Sequence, residues 1–172
     1  MTMMKKLMLS ICTVLALGIF PVMAGSDKVV CNSTKCEDFF KDHELNVAIW
    51  GGDSTRSFHR NYITAGVDAK YFVNKYVGVG VSSRYTSNHG DTGATLATAT
   101  VRYPVGRFAP YAFGGVGAAY GHGTHATEQV GGGVEARITP RTGIFTDYSW
   151  NFNNDSHEKD FGLLRGGVNF SF

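Results

Sequence analysis

The feature that most constrains the fold is a period of two, carried by segments of about ten residues, that keeps charged side chains on one face. In the last segment the even positions Gly162, Leu164, Gly166, Val168, Phe170 and Phe172 oppose Leu163, Arg165, Gly167, Asn169 and Ser171. Side chains of a β-strand alternate between its two faces, so this pattern describes a strand with one apolar and one polar side. A half-buried strand of a soluble protein has the same period. The environment must therefore be read from the rest of the chain.

Eight such segments are expected, at about Glu44–Gly52, Tyr62–Phe72, Tyr76–Thr86, Gly93–Tyr103, Pro110–Tyr120, Gln129–Thr139, Ile144–Phe152 and Phe161–Phe172. In the second, Ile63, Ala65, Val67, Ala69 and Tyr71 oppose Thr64, Gly66, Asp68 and Lys70. In the third, Val77, Val79, Val81 and Tyr85 oppose Gly78, Gly80, Ser82 and Arg84. The sixth sets Val130, Val134, Ala136 and Ile138 against Gly131, Gly133, Glu135 and Arg137, and the seventh sets Ile144, Tyr148, Trp150 and Phe152 against Asp147, Ser149 and Asn151. The fourth is weaker, with Ala97, Ala99, Val101 and Tyr103 opposite Thr98, Thr100 and Arg102; the fifth has no polar side to orient it. In the first, Leu45, Val47 and Ile49 share a face from which Trp50 departs, and a bulge near Gly51 and Gly52 would restore it.

The connections alternate. Asp53–Asn61, Ser87–Thr92, Gly121–Glu128 and Asn153–Asp160 are polar and roughly six to nine residues long, whereas Val73–Lys75, Pro104–Ala109 and Pro140–Gly143 are shorter or tighter. Short turns at one end and longer loops at the other belong to transmembrane barrels. The amino terminus agrees: Lys5 and Lys6, an apolar run from Leu7 to about Met23, and Val22-Met23-Ala24 have the layout of a secretory signal peptide, with cleavage expected after Ala24. Beyond it no apolar run is long enough for a transmembrane helix. Any crossing is made by strands.

The expected architecture is an all-β, eight-stranded antiparallel up-and-down transmembrane β-barrel over residues 44–172, after a signal peptide at 1–24 and a periplasmic leader at 25–43. The polar face must then lie inside, where Asp68, Lys70, Arg84, Arg102, Glu135, Arg137, Asp147 and Arg165 form a lumen charge network and leave no open pore. The alternative, a soluble secreted barrel, reverses the faces. Aromatics gather at strand ends in two girdles: Trp50, Tyr62, Tyr85, Tyr120, Trp150 and Phe161 toward the longer loops, and Phe72, Tyr76, Tyr103, Tyr111, Phe145, Phe170 and Phe172 toward the short turns.

The formal charge of +2 falls to about zero once Lys5 and Lys6 leave with the signal, and no long basic tract remains, so no nucleic-acid partner is expected. Cys31 and Cys36 in the leader are an even, closely spaced pair in an exported chain, and a local disulfide is expected.

With these residues in view the chain resembles the small outer-membrane β-barrel superfamily that includes the outer-membrane protein A barrel and the opacity-type proteins. The resemblance rests on the eight segments, Pro110-Tyr-Ala-Phe-Gly-Gly-Val-Gly117, Asp147-Tyr-Ser-Trp150 and the closing Val-Asn-Phe-Ser-Phe; it covers Glu44 to Phe172. It implies a place in the outer membrane, surrounded by its lipid, with Phe170 and Phe172 read as an assembly signal by the barrel-assembly machinery; a monomer is expected. It implies no one activity.

Chemistry is sparse. His59, His89, His122, His125 and His157 all fall in the longer loops and are the candidates for a metal, haem or protonation-sensitive patch; loop polarity explains them equally, and no cofactor is expected. Lipid A deacylases and palmitoyltransferases are also eight-stranded barrels. The deacylase His-x-Ser-Asn run has a superficial counterpart at Asp147-Tyr148-Ser149-Trp150, where Asp147 stands in place of the imidazole base and Trp150 in place of Asn. Ser149 has no activating base in that run and reads as a small lumen residue, so no enzyme is expected. Binding or adhesion through the polar loops is the competing role.

Overall fold

The computed structural model describes residues 39–57, 60–87, 92–121, 123–153 and 160–172. The signal peptide, Cys31, Cys36, His59, His89, His122 and His157 lie outside the described residues. Eight strands follow in chain order: β1 (Glu44–Ser57), β2 (Arg60–Phe72), β3 (Val77–Thr86), β4 (Thr92–Arg102), β5 (Phe108–Tyr120), β6 (Thr124–Thr139), β7 (Thr142–Asn153) and β8 (Phe161–Ser171). Each pairs antiparallel with the next, and β8 pairs with β1 from Asn46↔Ser171 to Thr55↔Gly162, closing the barrel. Closure satisfies every strand edge, which is what allows a sheet to stand in hydrocarbon.

The faces are unambiguous. Leu45, Val47, Ile49, Val67, Val79, Val81, Val101, Val116, Ile138, Ile144 and Leu164 are exposed on the outer wall, while Asn46, Asp68, Arg84, Arg102, Glu135, Arg137, Asp147 and Arg165 are buried inside. A soluble barrel with an apolar core is thereby excluded. In water this outer wall would be a large uncovered apolar patch; in lipid it is matched to its solvent.

Two features differ from the sequence expectation. First, no register shift occurs at Gly51 or Gly52; the pairing of β1 with β2 runs unbroken from Glu44↔Phe72 to Thr55↔Asn61. Trp50 therefore keeps the inward phase of Asn46 and Ala48 and is 5% exposed. Second, strands run further at the end away from the chain termini. Three of the connections there, residues 58–59, 87–91 and 121–123, are shorter than the expected six to nine, while the fourth, 154–160, keeps the expected length. A ladder is held by backbone hydrogen bonds, so β1 continues through Asp53-Ser-Thr-Arg-Ser57 and β6 begins at Thr124 although neither stretch has an apolar face.

Glycine explains how aromatic rings fit inside so narrow a barrel. Trp50 faces Gly66 on one side and Gly167 on the other; a Cβ at Gly66 would run into the indole, and one at Gly167 into the Ile49 carbonyl, the Trp50 Cβ and the Phe145 ring. Phe72 faces Gly78, Phe113 faces Gly131, and Phe145 faces Gly167. A large side chain thus lies over the bare backbone of its neighbour, which is how large and small residues interdigitate in a packed interior. The aromatic girdles thin accordingly: Tyr85, Tyr120 and Trp150 at one end and Tyr76, Tyr103, Phe170 and Phe172 at the other are exposed, whereas Trp50, Phe72 and Phe145 are buried inside.

The chain just before β1 packs across the terminal end. His43 takes a φ of 58°, in the left-handed region rare for a residue with a Cβ, and its Nδ1 lies 3.0 Å from the Tyr71 hydroxyl. The Lys75 backbone N–H donates to Asp42 at 2.7 Å. These ties set Phe40 over the barrel floor, where it is buried.

Candidate functional site: the charged interior

The eight charged residues expected inside are gathered there in three tiers, together with Glu44. In the tier at the terminal end, Glu44 is 3% exposed and accepts from Arg102 Nη2 at 3.2 Å, from Arg137 Nη2, and from the Ser171 hydroxyl at 2.9 Å. Arg137 Nε donates to Glu135 at 2.5 Å, and Arg102 lies 4.0 Å from the same carboxylate. Aromatic rings cover the cations: Phe72 is 3.5 Å from the Arg102 guanidinium, and Phe40 is 4.8 Å from Arg102 and 4.9 Å from Arg137. Two carboxylates and two guanidiniums are thus paired and hydrogen-bonded, the condition under which buried charge is tolerable.

The middle tier is built on Arg165. Its Nε donates to Asp147 at 2.5 Å and its Nη1 to Asp68 at 3.3 Å. Asp147 stands directly across the β7–β8 ladder from Arg165 and also accepts from the Tyr111 hydroxyl at 2.5 Å. Asp68 accepts from Trp50 Nε1 at 2.9 Å and from the Ser82 hydroxyl at 2.7 Å, with Lys70 at 3.5 Å. Between these two tiers lies a cavity of about 20 Å³ lined by Lys70, Phe72, Arg102, Tyr111 and Glu135 among others. That is about the space of one water molecule. Thr100 Oγ1 and Asn169 Oδ1 belong to residues of the same lining and have no hydrogen-bond partner among the described residues.

The third tier, toward the opposite end, is different in kind. Arg84 Nη1 donates to Asn151 at 2.5 Å and to Gln129 at 3.2 Å, and the guanidinium lies 5.2 Å from the Phe161 ring. Its protein partners are amide oxygens. Ser149 is fully buried, with Asn151 Nδ2 at 3.5 Å.

Sequence reasoning missed Glu44, Trp50, Tyr111 and Gln129 as members of this network, whereas Asn151 lies on the inward face expected for it. Glu44, Asn46, Ala48 and Trp50 share one parity, so accepting Trp50 as inward would have brought Glu44 with it. Tyr111 lies on β5, which has no charge to give its phase; its hydroxyl meets Asp147 only through the fold. His125 sits within β6, opposite Ala119, rather than in a loop. Among the described residues no group of three His, Cys, Asp or Glu side chains is arranged to hold a metal.

Solved structures with this architecture include the N-terminal β-barrel domain of Pseudomonas aeruginosa OprF, at 14% identity and a TM-score of 0.64, covering 77% of this chain and 99% of that one. Neisserial surface protein A matches at 16% identity and a TM-score of 0.62 over 80% of this chain and all of that one. Ail, the attachment invasion locus protein of Yersinia pestis, matches at 14% identity and a TM-score of 0.53, over 76% and 99% of the two chains. The fold is that of the small outer-membrane β-barrels. No protein-family model matches the sequence, and no curated protein matches it. At these identities it is the barrel that is shared, and the chemistry of the interior rests on this chain's own residues.

Proposed function

We propose that this chain is an exported, monomeric outer-membrane barrel with a structural role in the cell envelope, a closed interior and no catalytic site. The observation that carries the reading is the pairing of an apolar outer wall with an interior filled by linked charges. The rings of Phe40, Phe72, Phe113, Phe145 and Trp50 and the clusters on Glu44 and Arg165 occupy the lumen, leaving about 20 Å³ between the two lower tiers. Hydrated ions need a continuous wet path, and cross-linking of this kind among the described residues opposes one. Ser149 supports the non-catalytic reading, because its described polar neighbour is the Asn151 amide rather than a base.

In this reading the terminal end faces the periplasm, cleavage falls after Ala24, Cys31 and Cys36 form a local disulfide in a leader, and Phe170 and Phe172 are the segment recognised by the barrel-assembly machinery. Phe172 is 77% exposed and its backbone exchanges hydrogen bonds with Leu45, at 3.2 and 2.9 Å, so the last residue sits at the seam that assembly must close. The decisive experiment is fractionation of expressing cells with heat-modifiable gel migration, followed by single-channel recording of the purified protein in planar bilayers. An outer-membrane, heat-modifiable and non-conducting protein fits the reading; recovery from the detergent-free soluble fraction, or steady conductance, overturns it.

A further inference from the structure

We infer that the third tier is a binding site for one small inorganic anion, held between Arg84 and Gln129. The described interior contains four carboxylates, on Glu44, Asp68, Glu135 and Asp147, and five cations, on Lys70, Arg84, Arg102, Arg137 and Arg165. Every cation but Arg84 has a carboxylate partner among them. Arg84 is 7% exposed and uses Nη1 alone, on two neutral amide oxygens, which leaves the N–H groups of Nε and Nη2 without a partner among the described residues. Beside it Gln129 is 4% exposed, and its Nε2 is buried with no acceptor among the described residues.

The orientation of that amide is fixed: turning it over would set an NH2 group against the guanidinium, so the oxygen must face Arg84 and the unpaired donor stays where it is. The tier therefore contains a full positive charge and more hydrogen-bond donors than acceptors: the Asn151 and Gln129 amide oxygens are taken by Arg84 Nη1, and Ser149 Oγ lies by Asn151 Nδ2. A buried donor left unsatisfied costs about 1–3 kcal/mol, and an unneutralised buried charge more. One anion of about the size of chloride corrects both deficits. The site is built from β3 and β6 on opposite sides of the lumen, so it forms only in the closed barrel. It is independent of whether the protein's role is structural.

The test uses the full chain refolded in detergent micelles, with bromide as the probe. Crystals grown in sodium bromide are expected to show an anomalous peak in hydrogen-bonding contact with Arg84 and Gln129. In solution, bromide NMR lines are expected to broaden with the wild-type protein. Gln129→Glu places a carboxylate where the amide oxygen now accepts from Arg84, neutralising the cation internally, and is expected to fold and to lose both signals. Arg84→Gln is expected to lose them too, and Gln129→Glu keeps the test decisive if that variant does not fold. Absence of bromide at this tier in the wild type, with water in its place, overturns the inference. So does undiminished binding by Gln129→Glu.

Discussion

Trp50 donates its indole N–H to Asp68 at 2.9 Å while its ring lies against Gly66 of β2 and its Cβ against Gly167 of β8. One side chain therefore fills the middle of the lumen and supplies a donor to a carboxylate that is 2% exposed. Replacing Trp50 by Phe keeps a ring in place and removes the donor together with part of the indole that lies against Gly66. Because Asp68 retains Ser82, Arg165 and Lys70, the expected loss is at least that of one charge-assisted hydrogen bond, about 1.5–3 kcal/mol. Equilibrium unfolding by urea in lipid vesicles measures it, and a loss indistinguishable from zero would show that the Trp50–Asp68 hydrogen bond does not stabilise the barrel.

The pairing of large rings with glycine predicts a specific non-additivity. At Gly78 the nearest atoms to an added Cβ all belong to the Phe72 ring, at 2.8 to 3.0 Å. Gly78→Ala is expected to destabilise the barrel by about 1–3 kcal/mol through overpacking. In the Phe72→Leu background the same substitution is expected to cost distinctly less, since the clashing ring is gone. A double-mutant cycle reads the coupling, and strict additivity would mean that the backbone, rather than Phe72, opposes the methyl.

The tiers also predict unequal roles for two buried arginines. Arg165→Met leaves Asp68 and Asp147 without the cation that bridges them, and breaking a buried pair in this way costs about 3–5 kcal/mol. Arg84→Met strands two neutral amides and no carboxylate, so a loss of about 1–3 kcal/mol is expected. Paired unfolding curves for the two variants check the order, and equal losses would mean that Arg84 has a protein counter-charge.

How much of this was legible beforehand depended on where the chain placed its charges. Asp68, Arg84, Glu135, Asp147 and Arg165 each fix the phase of a strand, because a charge on the wall of a barrel can only be turned inward. β5 has no such marker between Phe108 and Tyr120, and its glycines fit either face, so Tyr111 could not be placed opposite Asp147. The period of two alone puts Trp50 opposite Leu45, Val47 and Ile49, and only its place in the girdle called for a bulge; its inward phase is permitted by Gly66 and Gly167, which lie far away in sequence and meet it only across the ladder. The ends of β1 and β6 were hidden for another reason. Where both faces are polar, hydrogen bonding continues the strand while the alternation that reveals it disappears.

The outer wall gives the sharpest test of the medium in which the barrel works. Val67 is 51% exposed in the middle of β2, and Val105 is 58% exposed in the turn between β4 and β5. For a protein in water the two positions are alike, and arginine at either would change stability by about 0.5 kcal/mol or less. In a bilayer they are not: arginine at the midplane of a lipid-facing strand costs about 2–4 kcal/mol, and near the interface about 0–1. Val67→Arg is therefore expected to lower the unfolding free energy in lipid vesicles by several times more than Val105→Arg. In short-chain detergent micelles, where the apolar layer is thin and deformable, the gap should narrow. Equal and small effects in both media would return the apolar wall to the status of an unexplained surface; a large depth-dependent difference ties the alternation seen in the sequence to the membrane itself.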